Sequence, residues 1–287
     1  MPGAPAVGFD LVVATVDRTD DLAALLDTLD AQTHREFRIV VVDQNADDRV
    51  GRLLAGRPHF RSLHLRSPRG LSRARNVALP HLSAEVVAFP DDDCLYSANL
   101  LERVAQRFAD DAGLAGLSGR ALARDGSSVG RWPETRVPIT TGNVWHTANS
   151  HTIFLRRSLI DRIGAFDENL GLGSGTPWSS GEEIDYLVRA LDAGARIEYD
   201  PSLVVTHPVK PVTPDELVAL GRRDGGSAGY VLAANRYPPR AVGRMLARPA
   251  VGALLSLALL DVTRARFHAA TFVGRLAGLR AGAGRRP

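Results

Sequence analysis

The stretch FDLVVATVDRTDDLAALLDTLDAQTHREFRIVVVD, Phe9 to Asp43, decides the fold class. Its ends, Phe9 to Val16 and Phe37 to Val42, are continuous apolar runs of strand length, the pattern of strands covered on both faces. Between them Leu22, Leu25, Leu26 and Leu29 recur at i, i+3, i+4 and i+7, one face of a helix that Asp20 or Asp21 can cap. Two such strands joined by a helix make a βαβ unit, which implies parallel pairing. The alternation continues outward with a strand around Leu63 to Leu65, a helix from Leu71 to about Leu79, a strand from Glu85 to Phe89 and a helix from about Asn99 to Phe108. The class is α/β, with a mostly parallel central sheet flanked by helices.

After Gly113 the pattern loosens. Strand-like pieces at Leu114 to Leu117 and Thr152 to Leu155 and a short helix from Arg157 to Ile163 are separated by Gly, Pro and Thr. The run GLGSGTPWSSG, Gly171 to Gly181, reads either as a loop that closes over a ligand or as a plain surface loop. It leads into a helix, Glu182 to Ala193, with a buried stripe of Ile184, Leu187, Val188 and Leu191. Two strands follow, Arg196 to Tyr199 and Leu203 to Thr206, ending at His207-Pro208. The expected division is a domain over 1–210, with halves of about 1–115 and 116–210, and a basic helical extension over 211–287.

Composition sets outer limits. The 287 residues are 45% hydrophobic and 23% charged, an ordinary globular balance. A net charge of +3 makes no case for a nucleic-acid partner. The charge is unevenly spread: from Arg236 onward there are ten Arg and one acid, Asp261, so an acidic body carries a basic tail. Cys94, the single cysteine, excludes an internal disulfide or a cysteine zinc cluster and suggests a reducing compartment. MPGAPAVGFD has no basic residue ahead of its first apolar run and does not read as a secretory signal. The longest uncharged apolar stretch, Ala250 to Leu260, is eleven residues, below the roughly 18 to 20 that a spanning helix needs. The expected location is cytoplasmic, with the inner face of the plasma membrane as an option. Lys210, the only lysine, decides nothing about function.

In an open parallel sheet, ligands bind beyond the carboxyl ends of the strands. Polar residues collect there: Thr15, Asp17 and Arg18 after the first strand, Asp43, Gln44 and Asn45 after the second, Asp91, Asp92 and Asp93 after the strand ending at Phe89, and His207 after the last. The run Pro90-Asp91-Asp92-Asp93 is the strongest signal, because adjacent carboxylates repel unless a cation compensates them. Hard divalent ions such as Mg²⁺ or Mn²⁺ take such oxygen ligands together with substrate phosphates, and Asp91 and Asp93 can both reach one ion. The plain alternative is a capped turn. A strand-end Asp such as Asp43 serves equally as an Asx turn.

Taken in order, these residues resemble the family 2 glycosyltransferases, inverting enzymes of the GT-A fold, over about Phe9 to Pro208. Thr15 and Arg18 resemble the family's opening nucleotide-binding strand, and Leu29 to Thr33 its usual helix exit. Asp43 matches the acid that contacts the nucleoside. Gly70-Leu71-Ser72-Arg73-Ala74-Arg75-Asn76 is similar to the family's Gly-x-Ser-x-Ala-Arg-Asn segment, whose Arg75 and Asn76 then lie by the nucleotide. Asp91 and Asp93 match the Asp-x-Asp pair that holds the metal and the sugar nucleotide. GAFDE, Gly164 to Glu168, resembles the turn before the acceptor loop. Glu182-Glu183 falls where the family has a Glu-Asp pair containing the catalytic base.

The resemblance implies a nucleotide-binding first half, an acceptor-binding second half and a Mn²⁺ or Mg²⁺ cofactor. Its donor is a nucleoside-diphosphate sugar, UDP- or dTDP-linked first, and its acceptor a glycan, a lipid-linked molecule or a small molecule. It departs from the pattern at Glu183, where Asp is usual. Ser180-Gly181-Glu182-Glu183 also fits a capping box, which leaves Glu182 as the alternative base. Asp185 reads as an i,i+4 partner of Arg189. His207 matches a metal ligand of some members and equally reads as a strand-end histidine. Asn149 and His151 fall where acceptor or donor contacts are expected, and Trp178 offers an apolar face to a sugar or simply packs.

The implied chemistry is metal-dependent transfer of a sugar to a hydroxyl with inversion, in synthesis of cell-surface glycans. Two rivals stand beside it. A sugar-nucleotide nucleotidyltransferase would carry a glycine-rich phosphate loop after the first strand, whereas the turn here is Thr15-Val16-Asp17-Arg18-Thr19. A noncatalytic sugar-nucleotide-binding relative would have lost its metal acids or base, and both sites still carry carboxylates. In the tail, Leu254, Leu255, Leu257, Leu259 and Leu260 are flanked by Arg244, Arg248, Arg264 and Arg266, with a second helix around Phe272 to Leu279. That pattern fits either peripheral contact with an anionic leaflet or packing on the catalytic domain or in a homodimer.

Overall fold

The computed structural model describes residues 7–209 and 211–284; the opening residues 1–6 and Lys210, weighed above, lie outside the described residues. Two compact units emerge. The first holds the described residues up to Arg69 together with Arg73–Phe166 and Tyr186–Val209. The second holds Gly70–Ser72, Asp167–Asp185 and the described residues beyond Val209. The segment from Asp167 to Asp185 goes with the later helices.

The first unit is built on one sheet. Among the described residues its strands are β1 (Phe9–Thr15), β2 (Phe37–Asp43), β3 (Ser62–Arg66), β4 (Val86–Ala88), β5 (Leu95–Tyr96), β6 (Gly116–Leu122), β7 (Val137–Pro138), β8 (Ile153–Arg156) and β9 (Ile197–Thr206). Their order is β3-β2-β1-β4-β8-β6-β9-β5, with β7 paired to β9. The expected α/β class holds. Parallel pairing runs through β3, β2, β1 and β4, with Thr15 level with Asp43. Beyond β4 the sheet becomes mixed: β8 is antiparallel to both β4 and β6, β9 is parallel to β6, and β5 is antiparallel to β9.

The helices α1 (Thr19–Asp30), α2 (Arg49–Ala55), α3 (Leu71–Ala78), α4 (Leu100–Asp110), α5 (Arg157–Ile163) and α6 (Glu182–Asp192) connect or follow the strands. The α1 stripe of Leu22, Leu25, Leu26 and Leu29 is wholly buried and joins Phe9, Leu11, Val13, Ile39, Val41, Leu101, Val104 and Phe108 in one core. The α6 stripe is broader than its leucine spacing suggests: Tyr186 and Ala190 are buried as well, while Leu191 is only half-buried.

The last strand differs from the sequence reading. The two pieces Arg196 to Tyr199 and Leu203 to Thr206 form the single ten-residue strand β9, which runs through Pro201. Its pairing with β6 shifts register between Ser118 and Arg120, an irregularity that lets the strand continue past a residue with no amide hydrogen.

The second unit is helical, with α7 (Pro214–Ala234), α8 (Pro239–Ala258) and α9 (Val262–Gly282). A capping box between Thr213 and Glu216, with Pro214 in the first turn, starts α7. Helices α7 and α9 pack backbone to backbone: a methyl group at Gly278 would run into the carbonyl of Gly226, and one at Gly274 into that of Arg222. The Asp167–Asp185 segment is tied to this unit by hydrogen bonds. Tyr230 Oη donates to Asp167 at 3.1 Å, Asn235 Nδ2 donates to Asp185 at 2.9 Å, and Ser180 donates through its amide to Ser227 and through its hydroxyl to Asp224.

Candidate active site

The carboxyl ends of β1, β2 and β4 lie side by side because these strands are parallel. Thr15, at the end of β1, donates its hydroxyl to Asp92 Oδ2 at 2.8 Å. Arg18, just beyond, holds Asp92 at 3.0 Å and Asp93 at 2.7 Å through one guanidinium nitrogen. Arg18 thus supplies part of the positive charge that three adjacent carboxylates require.

The antiparallel strands bring in the rest of the site. In the β4–β8 pair Ala88 faces Phe154, so the chain entering β8 lies beside the chain leaving β4. The one-turn helix Ser150–Thr152 sits at that entry. Ser150 donates to Asp91 Oδ1 at 3.2 Å, and His151 Nδ1 lies 3.2 Å from Asp91 Oδ2. In the β5–β9 pair Leu95 faces Thr206, which sets His207 beside the acidic run. His207 Nε2 is 3.2 Å from Asp93 Oδ1 and 3.8 Å from Asp91 Oδ2, and its ring stacks on His151 with centroids 4.6 Å apart.

Among the described residues Asp91, His151 and His207 form a group whose ligand atoms all lie within 4.8 Å of one another. His151 adds a specific sign. With Nδ1–H donated to Asp91, its buried Nε2 carries a lone pair and has no hydrogen-bond partner among the described residues. A ligating histidine commonly has this arrangement, one nitrogen oriented by a carboxylate and the other facing the ion. The donor set of carboxylate and imidazole therefore fits a divalent ion, with Asp93 adjoining through His207.

Charge and burial act against each other in this cluster. Burial pushes the Asp91 carboxyl up, but the hydrogen bond and charge of His151, with Arg75 and His207, outweigh it and hold Asp91 below the ordinary range. Asp93 is likewise raised by burial and lowered further by His207 and Arg18, for a net fall. His207 loses basicity through burial and regains more from Asp93 and Asp91, ending above its ordinary value. Asp92 goes the other way: burial dominates over Thr15 and Arg18 and lifts it to about 6.

The remaining sequence-derived candidates are placed as follows. Asp17 has φ +59°, pairs with Arg69 at 2.7 Å, and donates its backbone amide hydrogen to Asn45 Oδ1. Asp43 is fully buried and engaged by His64 and Arg66, each at 3.0 Å, and by the Asn45 amide groups. His64 and Arg66 carried no motif, but as alternate residues of β3 they share one face and are brought to Asp43 by the β2–β3 register. Arg75 is not a solvated helix arginine. It is 2% exposed, lies over the rings of Phe89 and Phe166 and is 3.6 Å from Asp91. Asn76 grips the Phe166 backbone at both ends, donating to its carbonyl and accepting from its amide. Asn149 precedes the Ser150–Thr152 turn, and its amide donates to Thr152.

In the second unit, Glu182 and Glu183 open α6, Glu182 buried and Glu183 half-buried. The Glu182 carboxylate lies against Gly171: a side chain there would sit 3.3 Å from it and 3.2 Å from the Ser72 hydroxyl. The Ser180 hydroxyl, the N-cap candidate of α6, donates to Asp224 at 3.1 Å. Trp178 stacks on Tyr230 with centroids 5.8 Å apart, and a methyl group at Gly226 would press on its ring.

Comparison with known proteins gives the family and the fold. The model of the Glycosyl transferase family 2 family matches residues 10–164. Over 236 residues the chain is 30% identical to the succinoglycan biosynthesis protein ExoM of Rhizobium meliloti, covering 78% of this chain and 75% of that protein. It is 28% identical over 262 residues to the pre-mycofactocin glycosyltransferase of Mycobacterium tuberculosis, covering 85% of this chain and spanning half of that protein's length. Among solved structures it is similar to the mannosyltransferase PcManGT from Pyrobaculum calidifontis in complex with GDP-Man and Mn²⁺, with TM-score 0.63, 16% identity and coverage of 97% and 88% of the two chains. It is also similar to TarS 1-349 of S. aureus in complex with UDP-GlcNAc, with TM-score 0.60, 17% identity and coverage of 96% and 92%. The fold is GT-A, and the chain belongs to glycosyl transferase family 2.

Proposed function

We propose that this chain is an inverting glycosyltransferase that moves a sugar from a nucleoside-diphosphate sugar to a hydroxyl acceptor in glycan or glycoconjugate synthesis. The observation that carries the reading is the convergence of Asp91, His151 and His207, with Asp93 adjoining, at the carboxyl end of the sheet where nucleotide ligands bind. Asp91, His151 and His207, with Asp93, would hold a divalent ion. Two imidazoles beside carboxylates favour Mn²⁺ over Mg²⁺, since Mg²⁺ takes oxygen donors almost alone. When bound, such an ion supplies charge neutralisation at the departing diphosphate.

The chain's own residues account for the other roles. Asp43 accepts from the nucleoside, and Arg18 and Thr15 fix the acidic run that Asp17 borders. Arg75 pairs with Asp91, and Asn76 anchors the turn at Phe166. Glu183, the more accessible of the pair opening α6, takes the proton of the acceptor hydroxyl as that oxygen attacks the anomeric carbon in line, so one displacement inverts the configuration. Glu182 stands as the alternative base. Asn149 and Trp178 border the acceptor, and the Gly171–Gly181 loop excludes water that would otherwise hydrolyse the donor. The UDP- or dTDP-linked donor and a glycan, lipid-linked or small-molecule acceptor remain the first substrates to test. Buried Cys94 fits a reducing, cytoplasmic setting.

The deciding experiment incubates purified protein with a panel of nucleotide sugars in Mn²⁺, Mg²⁺ or EDTA and measures released nucleoside diphosphate beside Asp93→Ala. Release from one donor that requires both the metal and Asp93 supports the reading. Silence across the panel, with no metal-dependent nucleotide binding, sinks it in favour of a noncatalytic relative.

A further inference from the structure

Exposed large apolar side chains are concentrated in one place. Val251, Leu254, Leu255, Leu257, Leu259, Leu260 and Val262 are each more than half exposed, with Leu260 at 87%, and all belong to the end of α8 and its turn into α9. On α8, Val251, Leu254, Leu255 and Ala258 follow i, i+3, i+4, i+7 and share one exposed face. Continued toward the start of the helix, the same face carries Arg240, Arg244 and Arg248, all exposed. The face is therefore graded, basic over its first half and apolar over its second.

We propose that this α8–α9 tip enters one leaflet of an anionic lipid bilayer, with Arg240, Arg244 and Arg248 at the level of the headgroups. Three observations choose this occupant. First, the apolar part from Val251 to Leu259 spans about 12 Å of helix, close to the roughly 15 Å depth of one leaflet and too short to cross both. Although α8 has twenty residues and the composition of a candidate span, its three arginines confine the apolar part to the second half. Second, the charge suits anionic headgroups: among the described residues from Arg236 onward Asp261 is the only acid. Asp261 enters compensated, since it accepts from the Arg264 amide at 2.9 Å and pairs with the Arg264 guanidinium at 3.4 Å. Third, a second copy packed with its α8 parallel to this one would bring the same arginines against each other, whereas anionic headgroups neutralise them. The proposal does not depend on the donor, the acceptor or the catalytic reading.

The test is flotation of the full chain with vesicles of phosphatidylcholine alone or containing about 30% phosphatidylglycerol, at low and high salt. Expected is binding to the anionic vesicles at least tenfold tighter than to the neutral ones, weakened by salt. The double substitution Leu259→Ser with Leu260→Ser should reduce that binding at least tenfold while leaving the circular dichroism spectrum unchanged. Leu260→Trp should show blue-shifted emission, quenched by brominated acyl chains, only with anionic vesicles. Absence of wild-type binding to anionic vesicles, equal binding by the serine variant, or no quenching of the tryptophan each overturns the proposal. So does a wild-type dimer in light scattering that the serine pair dissociates, which would assign the face to a second copy.

Discussion

His151 Nδ1 lies 3.2 Å from Oδ2 of Asp91, sixty residues earlier in the chain, which leaves the buried Nε2 of the same ring without a hydrogen-bond partner among the described residues. The sequence resemblance set His151 where acceptor or donor contacts are expected. The structure groups it with Asp91 and His207.

If that grouping holds a metal, His151→Ala will weaken Mn²⁺ binding by at least tenfold, read by the free-ion signal in electron paramagnetic resonance. Stripping the wild-type protein with EDTA should abolish donor turnover, and Mn²⁺ should restore it more fully than Mg²⁺. Unchanged Mn²⁺ affinity in the alanine variant would remove His151 from the ligand set.

The two glutamates opening α6 should separate in their effects. Glu183→Gln is expected to lower kcat by about 10²- to 10⁴-fold with donor KM near the wild-type value, the mark of a lost general base. Glu182→Gln, at a buried carboxylate packed on Gly171, should lower thermal stability by about 1–3 kcal/mol and kcat far less. The reverse pattern would transfer the role to Glu182.

Asp200 is 1% exposed and held by Arg107 at 2.5 Å and Arg136 at 2.7 Å. Burial alone would raise its pKa; the Ser202 hydrogen bonds and the two arginines reverse that and leave it below the ordinary value. A carboxylate depressed in the folded state contributes stability above its unfolded pKa, and that contribution is lost as pH falls through the folded value. Asp200→Asn should therefore cost about 2 kcal/mol at pH 7 in urea unfolding, with the gap to wild type closing as the pH is taken below about 4. A gap that persists in acid would show that shape and not charge matters at this position.

Gly278 has no room for a side chain against the Gly226 carbonyl, so Gly278→Ala must push α9 away from α7. The expected loss is about 1–3 kcal/mol or more, seen as a lower melting temperature. Gly243→Ala, where nothing lies within 4 Å of the added methyl group, should be neutral or slightly stabilising.

Much of the site was legible in the sequence because parallel α/β chains place ligand groups at strand ends, and strand ends can be read from local pattern alone. Thr15, Asp43 and the run Asp91 to Asp93 followed from where the valine-rich stretches stop. The family resemblance rested on the order of short motifs, which is also local information. Arg75 and Asn76 were visible as a motif, yet their surroundings were not, because a helix sequence does not say what lies across from it. Only folding sets Arg75 over Phe89 and Phe166 and turns Asn76 onto the Phe166 backbone.

What tertiary structure alone decided came through antiparallel pairing and close helix contact. The entry to β8 and the exit of β9 were brought to the acidic run by partners far away in the chain, so His151 joined His207, already readable as a strand-end candidate, beside Asp91. The graded face of α8 has the same origin. Its leucines were countable in the sequence, but that they remain uncovered depends on α9 burying its glycines against α7 and not against them. Local pattern determines which elements form and where each strand ends; which side chains then share a site depends on pairings made across the whole chain.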